Sequence, residues 1–385
     1  LARQNRTEHL AARVIFDIAL ILAGVALMVF GVIANHSWFD RHFVPSFFLT
    51  RLTMMRMALG VRVALVAFGV VLAIPVRLRL ARIVSRVPPR VVLGNAARIS
   101  LAIMLALGAG EVIARNVERV LDREEPLRRF DARLGWSFVP SRAGHATIHG
   151  RQIEYAFDGA GYRVAHAGDS VDPDRPSVVF TGESVIVGHG LNWAETIPAQ
   201  VESLTGIQSA NIAVHGFAID QAYMRLAAEL PRFRQPIAVV SLFMPGLFDR
   251  NLDDNRPHLG PGLIWHPPQH SSLLFTLAEG AVPYRKVETI DRGVAVTREI
   301  LQATVEMAQM RHATPIIVVP QFGQEDPSEA VLRHRVLDEA GLPYLLIELD
   351  PSWRSPGDMH PDARGAHAIA AAIAARLQKA HGMNE

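Results

Sequence analysis

The stretch Ser177–Gly190, SVVFTGESVIVGHG, decides how the second half of this chain folds. Ser177–Thr181 is a short apolar run, the composition of a strand buried on both faces. Gly182-Glu183-Ser184 follows at once, and a helix-like stretch comes next, from Ala194 to Leu204. A serine at the carboxyl end of such a strand lies near a helix N-terminus, whose free N–H groups favour negative charge. A second Gly-acid-Ser triplet, Gly168-Asp169-Ser170, lies upstream. No strand precedes it and the VDPDRP that follows admits no helix, so Ser170 belongs to a linker.

Downstream, the pattern of strand and helix repeats. Strands are expected at Ala210–Val214, Ile237–Met244, Pro315–Val319 and Tyr344–Leu349. Helices are expected at Ala218–Phe233, Thr289–His312, Ser328–Ala340 and Ala363–Ala380. Continuous apolar strands alternating with helices define an α/β class with a parallel sheet covered on both faces. Active residues in such sheets sit at the carboxyl ends of the strands. The Pro-, His- and Gly-rich loop Asp253–His270 leaves the third strand there and is expected to wall a pocket. Upstream, Asp131–Val164 carries short alternating runs broken by Gly and Asp, the pattern of a small β-hairpin unit.

The first third holds most of the hydrophobicity behind a mean hydropathy of +0.18. Val14–Ala34, Met57–Val76 and Val91–Ala114 are each long enough to cross a hydrocarbon core of about 30 Å. Asn35-His36-Ser37 lacks a small-x-small cleavage signature, so the first span reads as an anchor. Arg77–Arg90 carries five arginines and no acid, which keeps that loop and the N-terminus cytoplasmic and puts the rest of the chain outside. Asp17, Arg62, Arg98 and Glu111 fall within the spans. Their depths predict two interhelical pairs, Asp17 with Arg98 and Arg62 with Glu111, unless each snorkels to the headgroups. The charged segment Arg115–Phe130 reads as a helical stalk. Net charge is +2 and the arginines form no aromatic-interleaved stripe, so nucleic acid is not an expected partner. The absence of cysteine excludes disulfides, thiolate metal sites and a cysteine nucleophile.

A serine hydroxyl is inert until a base takes its proton, and that base is usually a histidine held by a carboxylate. Of 16 histidines, His360 lies in a Pro/Gly loop between the last strand and the last helix, at the same sheet edge as Ser184. Asp358 stands two residues before it, where an extended segment points both side chains to one side. His258, His266 and His270 are spaced too irregularly to argue for a metal.

VVFTGESVIVGHG, NIAVHGFAIDQ and GDMHPDARGAHAIA occur in an order that resembles the SGNH (GDSL-type) hydrolase and acyltransferase superfamily, over Leu134–Leu377. LGWSFVP and FDGAGYR ahead of them resemble the prelude of such domains. The resemblance implies a flavodoxin-like three-layer fold and Ser-His-Asp chemistry on acyl esters, with no cofactor and no metal. It makes Ser184 the nucleophile, His360 the base and Asp358 its orienter, with the Ser184 and Gly216 N–H groups binding the oxyanion. Three features depart from the family. Glu183 replaces the usual Asp, and one residue separates Asp358 from His360 where two are commoner. Pro245 falls where an oxyanion-binding Asn is expected, and losing such a donor costs about 2.7–4 kcal/mol. Arg250 and Asn251 follow in the next loop as substitutes.

The expected organisation is a membrane anchor of three transmembrane helices at 1–114, a helical stalk at 115–130, a β-rich prelude at 131–175 and an SGNH-like domain at 176–385. Two functions fit. One is an inner-membrane-anchored serine esterase or O-acyltransferase with its domain on the periplasmic side, acting on an acyl ester or glycan-type substrate. An acyltransferase with so few spans needs an acyl donor already outside, or a partner. The other is an SGNH scaffold serving as an accessory subunit among other membrane proteins. The lipid bilayer is a partner in both.

Overall fold

A computed structural model describes residues 2–47, 49, 51–84, 89–124, 127–269 and 284–382. The chain divides into two units, Leu1–Leu121 with Ser271–Val287, and Asp122–His270 with Glu288–Glu385.

The first unit is built on helices α1 (Ala2–Ile33), α2 (Arg51–Val71) and α3 (Pro89–Glu124). Among the described residues, Arg51–Leu80 and Ala97–Arg115 are long and apolar enough to cross a membrane. Asp17–Ile33 meets the same test only together with the short helix His36–His42, from which it is bent by 81°. There are thus two such helices, or three when the bent pair is one span. α1 and α2 approach closely because Gly24 and Gly69 face each other; a Cβ on Gly24 would lie 2.7 Å from the Gly69 carbonyl oxygen. Tyr284–Arg285, far along the chain, pairs with Val44–Pro45, and the Tyr284 ring stacks on Phe39 at 4.7 Å.

The interhelical charge pairs do not form. Arg62 instead donates to the last carbonyls of α1, Gly31 at 2.8 Å and Val32 at 3.2 Å. Glu111 accepts from Arg115 one turn on at 2.7 Å, Arg98 reaches Asn95 at 3.4 Å, and Asp17 lies 4.0 Å from Arg77. The reason is packing: none of the Ala97–Arg115 window is buried, so its charges find partners on their own helix. α3 runs unbroken to Glu124 and so includes most of the stalk, whereas Arg128–Asp131 is a strand paired with Gly135–Phe138.

The second unit contains one sheet of eight strands. In chain order they are β1 (Ala143–Ile148), β2 (Arg151–Phe157), β3 (Arg163–Val164), β4 (Ser177–Phe180), β5 (Gln208–Asn211), β6 (Pro236–Leu242), β7 (Thr314–Phe322) and β8 (Tyr344–Leu349). Their order across the sheet is β8-β7-β6-β4-β5-β3-β2-β1. β4 to β8 are parallel, in the flavodoxin-like order 2-1-3-4-5 when counted from β4. The hairpin read from Asp131–Val164 does not stand apart: β1 to β3 are antiparallel and join the edge of β5 through Arg163 and Asn211.

Period-two alternation sends Val178 and Phe180 to one apolar cluster and Val179 to another. The first includes Ile186 of the short α4 (Ser184–Val187) and Ile197 and Val201 of α5 (Ile197–Thr205), the second Leu226 of α6 (Ile219–Glu229) and Ala308 of α7 (Val287–Met310). Pro327–Arg333 forms α8, and Ala363–His381 forms α9, which adds Ile369, Ile373 and Leu377 to the first cluster. Both faces of the sheet are therefore covered, and the strand ends are left as the open edge.

Arg163 on β3 is 0% exposed, and no carboxylate pairs with it among the described residues. Its guanidinium donates to the carbonyls of Val187, Gly188, Leu191 and Glu154, at 2.5 to 3.2 Å, and lies 4.4 Å from the Tyr155 ring centroid. Burial lowers its pKa to about 10, which leaves it charged at neutral pH. Replacing it orphans several buried acceptors at once. Arg163→Met should cost about 3 kcal/mol or more, a fall of about 6–12 °C in thermal midpoint for a unit of this size, read by differential scanning fluorimetry.

Candidate active site

Gly182 turns the chain off the end of β4. Its φ of +150° is open only to glycine at low cost, and a Cβ there would press on Ile186 at 3.0 Å. Glu183 then caps the short helix Ser184–Val187, its carboxylate accepting from the Val185 N–H at 3.2 Å. With the cap supplied by Glu183, Ser184 is the first residue of the helix and its hydroxyl is not tied to the backbone. Ser184 is buried, and its amide donates to nothing among the described residues.

His360 arrives from the loop after β8. The loop is closed by a bridge between Arg354 and Pro361, by the Ser355 N–H on the His360 carbonyl at 2.9 Å, and by the Asp358 N–H on the Ser355 carbonyl at 3.0 Å. Asp362, not Asp358, caps α9, through Arg364 and Gly365 N–H groups. That leaves Asp358 free to face the histidine. His360 Nε2 lies 2.7 Å from Ser184 Oγ, and His360 Nδ1 lies 2.7 Å from Asp358 Oδ1. A bend rather than an extended segment makes the one-residue spacing work. Burial opposes charge on Asp358, but hydrogen bonds from His360 and His149 prevail and hold its pKa down at about 2. Ser170 is exposed and outside this site.

Glu183 does more than cap. Its Oε2 also contacts Ser184 Oγ, and Arg250 Nη1 lies 3.6 Å from the same oxygen. One hydroxyl proton cannot serve two acceptors, so Glu183 and His360 compete for it. Asn251 is committed elsewhere: its Oδ1 accepts from Ile219 N–H at 3.1 Å and its Nδ2 donates to Thr297 at 3.1 Å. Pro245, which offers no N–H, begins the turn after β6. Beside Glu183 a small pocket is lined by Phe217, Leu242, Met244, Leu247 and Arg250.

Gly216 follows β5 with its amide unpaired among the described residues, on a segment that the Val214 N–H ties to the Gly182 carbonyl at 3.2 Å. Two side chains that the sequence did not single out orient it. Trp136 Nε1 donates to the His215 carbonyl at 2.8 Å, and Arg256 Nη1 to the Gly216 carbonyl at 2.9 Å. In a trans peptide the C=O and N–H point opposite ways, so fixing the His215 carbonyl fixes the Gly216 N–H. Arg256 belongs to the loop expected to wall the site. In that loop His258–Gly260 pairs with Ile264–His266, and His258 stacks on His266 at 5.4 Å, while His270 lies outside the described residues.

Two more histidines escaped the sequence. His149, from the turn between β1 and β2, puts Nε2 at 3.3 Å from Asp358 Oδ2, and His189 puts Nε2 at 3.8 Å from the same oxygen. The His189 ring lies 4.5 Å from that of His360 and 5.2 Å from that of His215. Burial, then the neighbouring His360, lowers the His189 pKa to about 4, and burial keeps His215 neutral. Only the tertiary structure brings these rings together; no spacing in the chain announces them.

No protein-family model and no curated protein matches this chain. Solved structures similar to it include a GDSL-like lipase from Bacteroides thetaiotaomicron VPI-5482, at 14% identity over 53% of this chain and 88% of that one, TM-score 0.33. An acetyl xylan esterase from the rumen bacterium Butyrivibrio proteoclasticus matches at 10% identity over 56% and 67%, TM-score 0.34. A salicylyl-acyltransferase from a tetracycline biosynthetic pathway matches at 17% identity over 56% and 57%, TM-score 0.31.

The lowered His189 pKa has a signed consequence. The unfolded chain, with an ordinary pKa of 6.5, binds this proton before the folded one does. The stabilisation is complete above pH 6.5 and is lost as pH falls towards 4. His189→Gln should therefore lose less of its thermal midpoint than the parent between those two pH values, measured by fluorimetry in matched buffers.

Proposed function

We propose that this protein is a membrane-anchored serine ester hydrolase or O-acyltransferase of the SGNH type, working outside the cytoplasmic membrane through an acyl-enzyme on Ser184. The observation that carries this is the relay at the carboxyl edge of the sheet, Ser184 Oγ to His360 Nε2 and His360 Nδ1 to Asp358 Oδ1, both at 2.7 Å.

Ser184 Oγ attacks the acyl carbon as its proton passes to His360 Nε2, and Asp358 steadies the imidazolium through Nδ1. The Ser184 and Gly216 amides receive the negative charge that forms on the carbonyl oxygen. Collapse breaks the ester C–O bond, and His360 returns the proton to the leaving alcohol. Water or a second alcohol then attacks the acyl-enzyme, gives its proton to His360, and leaves with the acyl group as Ser184 is reprotonated. For the first step Glu183 must release Ser184, and Arg250, 3.6 Å from the oxygen that contacts the serine, competes for that carboxylate.

A second reading, a scaffold whose serine is silent, is favoured by the Glu183 carboxylate on Ser184 Oγ and by Pro245. Reaction with a fluorophosphonate and turnover of short-chain acyl esters separate the two. The parent should label and turn over, Ser184→Ala should do neither, and Asp358→Asn should lose about 10⁴ in kcat. A folded parent that shows no Ser184-dependent label or turnover is the scaffold.

The membrane side rests on the arginine-rich segment Arg77–Arg90 and the apolar helices. Because the chain has no cysteine, single substitutions report topology directly. In intact spheroplasts, Ser170→Cys should react with an impermeant maleimide and Ala81→Cys only after lysis; the reverse pattern inverts the topology.

A further inference from the structure

Three histidines surround the carboxylate of Asp358, and only one of them serves Ser184. His360 Nδ1 takes Oδ1 at 2.7 Å, whereas Oδ2 faces His149 Nε2 at 3.3 Å and His189 Nε2 at 3.8 Å. Ligand atoms of His189, Asp358 and His360 all lie within 4.8 Å of one another. Donors about 2.0–2.2 Å from a tetrahedral zinc ion stand about 3.3–3.6 Å apart, so small side-chain rotations close the set.

The position of His149 points the same way. Ile148 pairs with Arg151, so His149-Gly150 is a two-residue hairpin loop, with φ of +51° and +76°. Positive φ at both positions is the type I′ turn that favours Asn-Gly. Turn geometry by itself would place asparagine there. A histidine held in the left-handed region is instead aimed at a carboxylate 209 residues away. Imidazole and carboxylate together suit zinc and its neighbours among the divalent transition metals.

We propose that His149, His189, Asp358 and His360 form a binding site for a divalent transition-metal ion, zinc being the type case, that silences Ser184. A metal on His360 Nδ1 displaces the proton of that nitrogen to Nε2, with no net loss of charge or atoms. Nε2 then has no lone pair for the serine proton, and Asp358 is withdrawn from His360. Binding stands on this cluster alone; the silencing rests on the esterase reading.

The test is zinc titration of the purified full chain by calorimetry, with cobalt(II) absorption as a second probe. Fluorophosphonate labelling is run with zinc and again after EDTA. The parent and Ser184→Ala should bind one zinc equally, and His258→Ala should match them. His149→Asn and His189→Gln should each bind about tenfold or more weakly. Asparagine is the residue that the turn prefers, so His149→Asn should keep its fold, as its thermal midpoint will report. Zinc should suppress labelling of the parent, and EDTA should restore it. No saturable zinc binding, or equal binding by the His149→Asn/His189→Gln double variant, overturns the site. Binding that follows these residues while zinc leaves labelling unchanged overturns the silencing. Binding in a protein whose Ser184 never labels supports the site and counts against the esterase reading.

Discussion

The backbone that follows Ser184 is held by one buried guanidinium. Arg163 donates to the carbonyls of Val187, Gly188 and Leu191, along the turn that ends the four-residue helix in a dry interior. A buried charge with no carboxylate is tolerable because several carbonyl dipoles share it and the Tyr155 ring faces it. Arg163 is also the strand residue that joins the antiparallel extension to β5. The same side chain thus ties the prelude to the turn that presents the serine.

That tie explains what the prelude contributes. Its strands add no separate core; three of them extend the sheet, and the segment sends three side chains towards the site. Arg163 braces the loop after Ser184, Trp136 sets the peptide that carries the Gly216 amide, and His149 reaches Asp358. Residues ahead of β4 in the chain become part of the site because β3 pairs beside β5, where the parallel sheet would otherwise end.

Around Ser184 the balance is electrostatic. His360 and Glu183 both approach the hydroxyl, one an imidazole paired with Asp358 and the other a carboxylate within 3.6 Å of Arg250. In a site shielded from water such contacts act more strongly than at the surface. The Glu183 side chain matters here through reach: it caps Val185 and still touches the serine.

Much of this was legible from the sequence. Apolar runs and their spacing gave the parallel α/β order, and Tyr344–Leu349 falls on the same residues in both. The strand just ahead of Ser184, and the Pro/Gly loop between the last strand and the last helix, put Ser184, His360 and Asp358 at one edge of the sheet. Local pattern carries such information because strand ends and caps are fixed by neighbouring residues. It did not carry the charge partners of Arg62 and Glu111, the union of the prelude with the main sheet, or the convergence of His149, His189 and Trp136. The charges took their partners from how the helices pack, and the other two depend on which strands and loops the assembled sheet brings side by side.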